Sequence, residues 1–244
     1  MSMTPTFKGA AGKALQRAGW MGLAGLMGLT ALMSLAPANK AHAQSAGTVL
    51  VRIGATQIKP DVTSGDLSAP SFAGTQADIK SSTQVTGGLT YMLTDNLSLD
   101  LPLAAGFKHD LVGSGAIAGV GKIGEVKALP VTLLAQYRFF DANAPLRPYL
   151  GAGPTYAKFY KARSTAALTA LTGGTPAKPT TLEVQSKWAA TVQAGATLVV
   201  APRWTLDVSV LKTFLKTRTT LSTGQTLDAT LDPWAFSVGA VYSF

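Results

Sequence analysis

Strict alternation of apolar and polar residues is the feature that most constrains the fold of this chain. In residues 204–214, Trp204, Leu206 and Val208 fall on one face, and Thr205 and Asp207 on the other. The same period of two runs through residues 97–107 and 234–244. Successive side chains of a β-strand point to opposite sides, so the pattern predicts strands with one apolar and one polar face.

The first 43 residues differ in character and are predicted to be a secretory signal peptide. Three basic residues precede an apolar segment at 21–36, and Ala41-His42-Ala43 forms a small-x-small cleavage site. The alternative is an N-terminal membrane anchor, but the apolar run is short for a spanning helix and ends in the cleavage site. We therefore expect a signal peptide at 1–43 and a separate domain at 44–244.

Removal of residues 1–43 lowers the net positive charge of the chain. The whole chain carries a formal net charge of +9, but four of its 21 basic residues and none of its 12 acidic ones lie in residues 1–43. The basic residues that remain are scattered rather than arranged in a stripe with aromatic residues. Nucleic-acid binding therefore has little support.

The remaining composition favours a barrel in a membrane. The chain has no cysteine, which excludes a disulfide framework, and 47% of its residues are hydrophobic. After residue 43, no apolar run approaches the ~20 residues that a spanning helix needs. Apolar residues at every second position of many strands are typical of outer-membrane barrels.

Eight strands are predicted, and their connections alternate in length. The strands fall at 49–58, 85–92, 97–107, 129–139, 147–160, 188–199, 204–214 and 234–244. Three connections are short, at 93–96, 140–146 and 200–203. Four are long and are expected to be polar loops, at 59–82, 108–124, 161–187 and 215–230. This alternation predicts an eight-stranded antiparallel barrel with short periplasmic turns and long outer loops. Residues 44–244 are therefore expected to be an outer-membrane β-barrel domain.

The positions of aromatic and charged residues agree with a barrel in lipid. The aromatic residues fall near strand ends, where two interfacial girdles are expected. Their principal members are Phe107, Trp188, Trp204, Trp234, Tyr242 and Phe244. Four charged residues, Arg52, Asp100, Arg138 and Asp207, fall on inward faces. Because charges in a narrow lumen must be paired, we expect an acidic–basic cluster in its periplasmic half.

Catalysis has little support. His109 is the single histidine after residue 43, so metal clusters built on His or Cys are excluded and no cofactor site is indicated. His109 beside Asp110 is the one candidate base, but no nucleophile and orienting group can be assembled around it by spacing. We expect no enzymatic activity.

An ordered set of motifs resembles the OmpW-type outer-membrane proteins. The matching segments are 91–96 (YMLTDN), 107–109 (FKH), 129–136 (LPVTLLAQ), 147–153 (RPYLGAG) and 231–234 (LDPW) through to Phe244. They occur in the family's order and cover about residues 49–244. The resemblance implies an eight-stranded barrel with a narrow, largely hydrophobic channel that passes small hydrophobic molecules, with a lateral opening in the wall as one exit.

The same resemblance identifies two channel-gate candidates. Family members narrow the channel with apolar side chains on strands three and seven, and alignment of the motifs gives Pro102 and Leu211 here. Leu211 keeps the apolar character, whereas Pro102 departs from the pattern. Because proline removes a backbone donor, we hypothesise that Pro102 weakens strand pairing beside it and favours lateral exit.

Two functions remain open at this point. The first is a passive channel for small hydrophobic solutes; the second is a structural or adhesive barrel with a plugged lumen and interactions through its loops. A continuous apolar path to the outside or to a gap in the wall favours the first, and a plug throughout favours the second. Expected partners are lipopolysaccharide, through loop Lys and Arg, and the barrel-assembly machinery, through Tyr242 and Phe244.

Overall fold

The computed structural model describes residues 44–244, so the predicted signal peptide lies outside the described residues. The first strands are β1 (Val49–Lys59), β2 (Thr63–Ser64), β3 (Thr75–Ile79), β4 (Ser82–Met92), β5 (Leu97–Ala104), β6 (Phe107–Gly115), β7 (Lys122–Thr132), β8 (Leu134–Arg138) and β9 (Leu146–Ser164). Helix α1 (Ala166–Leu171) follows. The remaining strands are β10 (Leu182–Val184), β11 (Lys187–Ala201), β12 (Trp204–Phe214), β13 (Lys216–Leu221), β14 (Thr226–Thr230) and β15 (Trp234–Ser243).

Eight antiparallel strands close into a barrel, in the order β1-β4-β5-β8-β9-β11-β12-β15. The last strand pairs with the first, with Val51 opposite Tyr242, and β11 pairs with β9 on the far side. Closure leaves no free sheet edge, which is the condition for strands to cross a bilayer. The predicted all-β barrel is therefore confirmed.

Alternation places the apolar side chains outside and the polar ones inside. Along β12, Trp204, Leu206 and Val208 are exposed, whereas Thr205 and Asp207 are buried. This inversion of the usual soluble pattern follows from the solvent, because the outer wall faces hydrocarbon and the lumen collects the polar groups.

The sequence predicted that the four long connections are polar loops, and the structure contradicts this. Several continue the barrel strands beyond the predicted ends, and β10, β13, β14 and β2 form a second sheet above the barrel. A cluster of buried apolar residues holds this cap together: Leu67, Leu111, Ile117, Ile123, Val126, Leu168, Leu182 and Leu221. The apolar residues are too dispersed in these segments for periodicity to reveal a shared core. Within residues 44–244, no helix is long and apolar enough to span a membrane.

Phe107 was predicted to face lipid, and the structure contradicts this. The side chain is only 2% exposed and points inward. The cause is Gly106, whose positive φ of 96° lies in the left-handed region open to glycine. The extra residue between β5 and β6 inverts the alternation, so that Phe107 and His109 turn into the barrel while Lys108 turns out.

Candidate functional site

An ion-paired group fills the periplasmic half of the lumen. The guanidinium of Arg52 on β1 lies 3.3 Å from Asp100 on β5 and 3.2 Å from Asp207 on β12. Thr90 donates a hydrogen bond of 2.6 Å to Asp100, and the Tyr149 hydroxyl donates one of 2.8 Å to Asp207. The two carboxylates are buried, so their charge depends on Arg52 and these donors for compensation.

Arg138, the fourth predicted member of the cluster, occupies a separate place beside it. Its guanidinium lies over the ring of Tyr149, 4.8 Å from the centroid. It donates to Gln136 at 2.9 Å and to Gln44 at 3.1 Å. Within residues 44–244 no carboxylate approaches Arg138 to ion-pair distance. Amide oxygens and an aromatic face therefore take the role that we had expected of an acidic partner.

Gln44 and Arg147 close the periplasmic mouth below this group. The Gln44 amide donates to Thr197 at 2.9 Å, and Arg147 donates to the backbone oxygen of Gln44 at 3.1 Å. Arg147 also donates to the backbone oxygen of Asp95 at 2.5 Å. We call this lower assembly the polar plug: Gln44, Arg52, Asp100, Gln136, Arg138, Arg147, Tyr149 and Asp207.

The predicted cluster of charges did not include four members of the polar plug, namely Gln44, Gln136, Arg147 and Tyr149. Tyr149 points inward and is 1% exposed, although aromatic residues near strand ends were expected to form the girdles. A signal was present, because Gly195 lies directly opposite Tyr149. A side chain built on Gly195 would approach the Tyr149 ring to 2.4 Å, so the glycine leaves room for an inward ring.

Above the polar plug the lumen opens into an apolar cavity of about 120 Å³. We call it the barrel chamber. Pro102 and Leu211, the two gate candidates, both line it, as do Phe107, Pro130 and Leu215. Engineered apolar cavities of similar size, about 150 Å³, bind benzene. The volume of the chamber is thus comparable to that of cavities that hold a small aromatic molecule.

A second apolar cavity of about 80 Å³ lies within the cap. Ile79, Val126, Phe159 and Leu231 line both cavities and so form the partition between them. The two cavities therefore adjoin across a partition of apolar side chains.

The barrel wall is interrupted beside the chamber. Between β5 and β8 the strand pairing ends at Asp100 opposite Leu134, and between β6 and β7 it resumes at Phe107 opposite Ala128. Pro102 and Pro130 lie in this interval, and neither has an N–H to donate. Leu103, which lines the chamber, is also 45% exposed on the outer surface. We call this stretch the wall gap.

The other predicted girdle residues lie near the two rims of the barrel. Trp188, Trp204, Trp234 and Phe244 are exposed. At the periplasmic rim, the Trp204 and Tyr242 rings lie 5.0 Å apart, and the Tyr242 and Phe244 rings 4.7 Å apart, both edge to face. At the opposite rim, the Lys212 ammonium lies 4.7 Å from the Trp234 ring.

His109 is buried at the upper end of the barrel chamber, not at an exposed site. Its Nδ1 lies 2.8 Å from the backbone oxygen of Lys80. Among residues 44–244, no group of three or more His, Cys, Asp or Glu side chains is arranged to hold a metal ion.

Comparison with known proteins agrees with this architecture. The model of the OmpW family matches residues 45–244. Outer membrane protein W of Vibrio cholerae is 31% identical over 208 residues, which is 83% of this chain and 91% of the relative. The crystal structure of the outer membrane protein OprG from Pseudomonas aeruginosa superposes with a TM-score of 0.74 at 26% identity, covering 83% of this chain and 98% of OprG.

One further relative is named for its genetic context. The dibenzothiophene metabolism operon protein PahQ of Pseudomonas aeruginosa is 24% identical, and the match covers 68% of this chain and 72% of PahQ.

Proposed function

This chain belongs to the OmpW family of outer-membrane proteins, and we propose that its barrel is a passive route by which small hydrophobic molecules cross the outer membrane. The physical need is clear. Lipopolysaccharide obstructs apolar solutes, and a water-filled porin offers them no favourable environment. A path with an apolar lining removes that obstacle.

The observation that carries the proposal is the barrel chamber above the polar plug. Eight-stranded barrels are normally filled by their own side chains. Here the filling is confined to the periplasmic half, whereas the outer half holds an apolar cavity that adjoins the cavity of the cap. A solute that passed the partition between the two cavities would meet largely apolar surface as far as the plug.

We propose that such a solute leaves sideways through the wall gap. Straight passage would require the solute to displace the Arg52 ion pairs, which are buried and expensive to break. The wall gap lies beside the chamber and has no continuous strand pairing to break. Lateral exit also delivers an apolar solute into lipid, which is its preferred solvent.

The alternative is a structural or adhesive barrel with a closed lumen, and the polar plug is the observation in its favour. A plug that extended through the whole lumen would support it. The apolar cavity above the plug favours transport instead. The operon name of PahQ, which refers to an apolar aromatic compound, points the same way.

We also propose a role in assembly for the C-terminal aromatic residues. The Phe244 N–H donates to the backbone oxygen of Val49 at 2.9 Å, at the seam between the last strand and the first. The exposed ring of Phe244 and the half-buried ring of Tyr242 lie there and would be read by the barrel-assembly machinery. Deletion of Phe244 is expected to lower the amount of folded barrel without changing uptake per folded molecule. Normal folded levels with lost uptake would contradict this role.

Lipopolysaccharide remains a proposed partner through the basic residues of the cap. Arg218 forms an ion pair with Asp228 at 2.7 Å, so part of its hydrogen-bonding capacity is already used. Other basic residues of the cap are exposed: Lys161, Arg163, Lys178, Lys187 and Lys216. Ammonium and guanidinium groups bind phosphate well. Replacing these five residues by Gln is expected to weaken binding of purified lipopolysaccharide, and unchanged binding would contradict the proposal.

An uptake assay tests transport itself. Liposomes that contain the purified barrel should take up an apolar aromatic solute faster than empty liposomes, while uptake of a small sugar should match in both. Equal uptake of the aromatic solute would refute the proposal.

A further inference from the structure

Two buried hydrogen-bond donors in the barrel chamber have no partner. The Nε2 atom of Gln193 and the Oγ atom of Ser209 are inaccessible to solvent and make no hydrogen bond within residues 44–244. Both residues line the chamber. Buried polar atoms without partners are rare in folded proteins, and each calls for a physical reason.

The two donors lie close together on one patch of the lumen wall. Gln193 on β11 is opposite Leu211 on β12, and Ser209 on β12 is opposite Gly195 on β11. Gln193 and Ser209 are therefore diagonal neighbours on the inward face, within reach of one another for a long side chain. The Gln193 residue as a whole is only 4% exposed.

The orientation of the Gln193 amide is set by its neighbour. Gln136 donates a hydrogen bond of 2.7 Å to the Gln193 oxygen. This contact engages the oxygen with the polar plug and leaves the NH₂ group without a partner beside the chamber, which Gln193 lines. Ser209 has no comparable contact, so its hydroxyl is free to turn toward the same space.

Other hydroxyl groups of the chamber are engaged with one another. Thr155 bonds Thr132 at 2.8 Å and Thr191 at 2.6 Å, and Thr191 continues the chain to Thr213 at 2.8 Å.

Across the lumen, Thr56 bonds both Thr86 and Ser237, at 2.8 and 2.7 Å. The free donors at Gln193 and Ser209 are therefore a local feature and not a general property of the lining.

We propose that Gln193 and Ser209 form a polar subsite that binds the carbonyl oxygen of an otherwise apolar solute. A carbonyl oxygen has two lone pairs and can accept from both donors at once. A hydrocarbon of the same shape leaves both donors unpaired. The inference deepens the proposed function, because it requires that solutes reach the chamber. It assigns the preferred class as ketones, aldehydes and esters with apolar bodies.

The test compares two probes of nearly equal shape, 4-fluoroacetophenone and 1-ethyl-4-fluorobenzene. The first carries a carbonyl where the second carries a methylene. The full barrel domain is placed in lipid nanodiscs, and ¹⁹F NMR titration measures the affinity of each probe, with empty nanodiscs correcting for partition into lipid. The readout is the ratio of ketone to hydrocarbon affinity.

Ser209→Ala removes one unpartnered hydroxyl and breaks no hydrogen bond among residues 44–244. Loss of one hydrogen bond is expected to weaken ketone binding about threefold to tenfold and leave hydrocarbon binding unchanged. Gln193→Met should lower the same ratio, and a general loss of stability would not, because it affects both probes alike. Ser243→Ala is the matched control, since its buried hydroxyl also has no partner but lies away from the chamber.

The outcomes separate the two proposals. A ratio that is unchanged by Ser209→Ala and by Gln193→Met, with both probes still bound, would overturn the polar subsite and leave the apolar route intact. Failure of the wild-type barrel to bind either probe would overturn both proposals.

Discussion

Pro102 and Pro130 lie on neighbouring strands of the barrel within the same interruption of the wall. Strand pairing ends at Asp100 and resumes at Phe107, and each proline removes one backbone donor from the interval. Both side chains also line the barrel chamber. The chamber and the wall gap thus share the same residues, which links the proposed binding space to the proposed exit.

Replacing both prolines by valine should close part of the exit. Valine restores the backbone N–H and favours extended strands, so pairing across the gap should become more favourable. We expect slower uptake of an apolar aromatic solute into liposomes and a barrel at least as resistant to urea. Pro148→Val is the matched control, because Pro148 lies in continuous pairing between β9 and β11. Unchanged uptake in the double variant would contradict this role of the prolines.

Arg52→Met should destabilise the barrel without opening a route for apolar solutes. The substitution leaves Asp100 and Asp207 buried without their cation, which typically costs about 3–5 kcal/mol. Urea titration of the barrel in lipid vesicles should report a lower free energy of unfolding, and the exposed Arg163→Met should show little change. Because the proposed exit lies above the plug, uptake per folded molecule should stay the same. A rise in apolar uptake would indicate straight passage instead.

Leu211→Trp should obstruct the chamber. Leu211 lines a cavity of only about 120 Å³, so an indole at this position occupies much of the space that a solute would use. Uptake of the aromatic solute should fall severalfold while the barrel still folds. Val208→Trp, on the outward face of the same strand, adds the same ring to the lipid side and should leave uptake unchanged. Equal uptake in the two variants would argue against a solute path past Leu211.

Acid should loosen the outer hairpin formed by β6 and β7. Hydrogen bonds from Lys108 and Lys122 lower the pKa of Glu125 from its ordinary value of 4.5 to about 2. A depressed pKa means that this stabilisation is fully present above pH 4.5 and is lost as pH falls through about 2.

Hydrogen exchange measures this change. Residues 108–124, corrected for the intrinsic pH dependence, should lose protection between pH 4.5 and 2. Glu125→Gln should already be less protected at pH 6 and should respond less to acid. An identical pH response in the variant would show that Glu125 does not control the hairpin.

The sequence predicted the barrel strands because each has two faces in different solvents. Trp204 and Leu206 face lipid, whereas Thr205 and Asp207 face the lumen. This difference between the two faces produces an alternation of apolar and polar residues that is visible in the sequence. No such difference acts on the cap. Its strands β13 and β14 pair above the membrane, and the residues that form its core, such as Leu67 and Leu168, are far apart in the chain.

The site was predictable only in part, for related reasons. Inward phase identified Arg52, Asp100, Arg138 and Asp207, and the structure brings three of them into direct ion pairing. The predicted alternation of inward and outward side chains was wrong at Phe107, because Gly106 inverts the alternation there. Gln44 precedes the first strand, so no strand pattern assigned it to the lumen. Recognising the wall gap requires knowing which residues of two neighbouring strands are opposite one another. From the sequence, only Pro102 on one of these strands was identified.

The most direct test of the account closes the wall gap reversibly. Continuation of the register from Asp100 and Leu134 sets Leu103 opposite Val131, and both are exposed on the outer face. The chain has no cysteine, so Leu103→Cys and Val131→Cys introduce the only two thiols. A short bis-methanethiosulfonate reagent joins them, and a reductant releases them. The matched control joins Leu99→Cys to Ala135→Cys, a directly opposed pair where the same wall is intact.

Uptake of an apolar aromatic solute into liposomes is then measured before cross-linking, after it, and after reduction. The account predicts that the cross-link at 103 and 131 slows uptake and that reduction restores it, while the cross-link at 99 and 135 has no effect. Undiminished uptake with the gap cross-linked would contradict lateral passage through the wall.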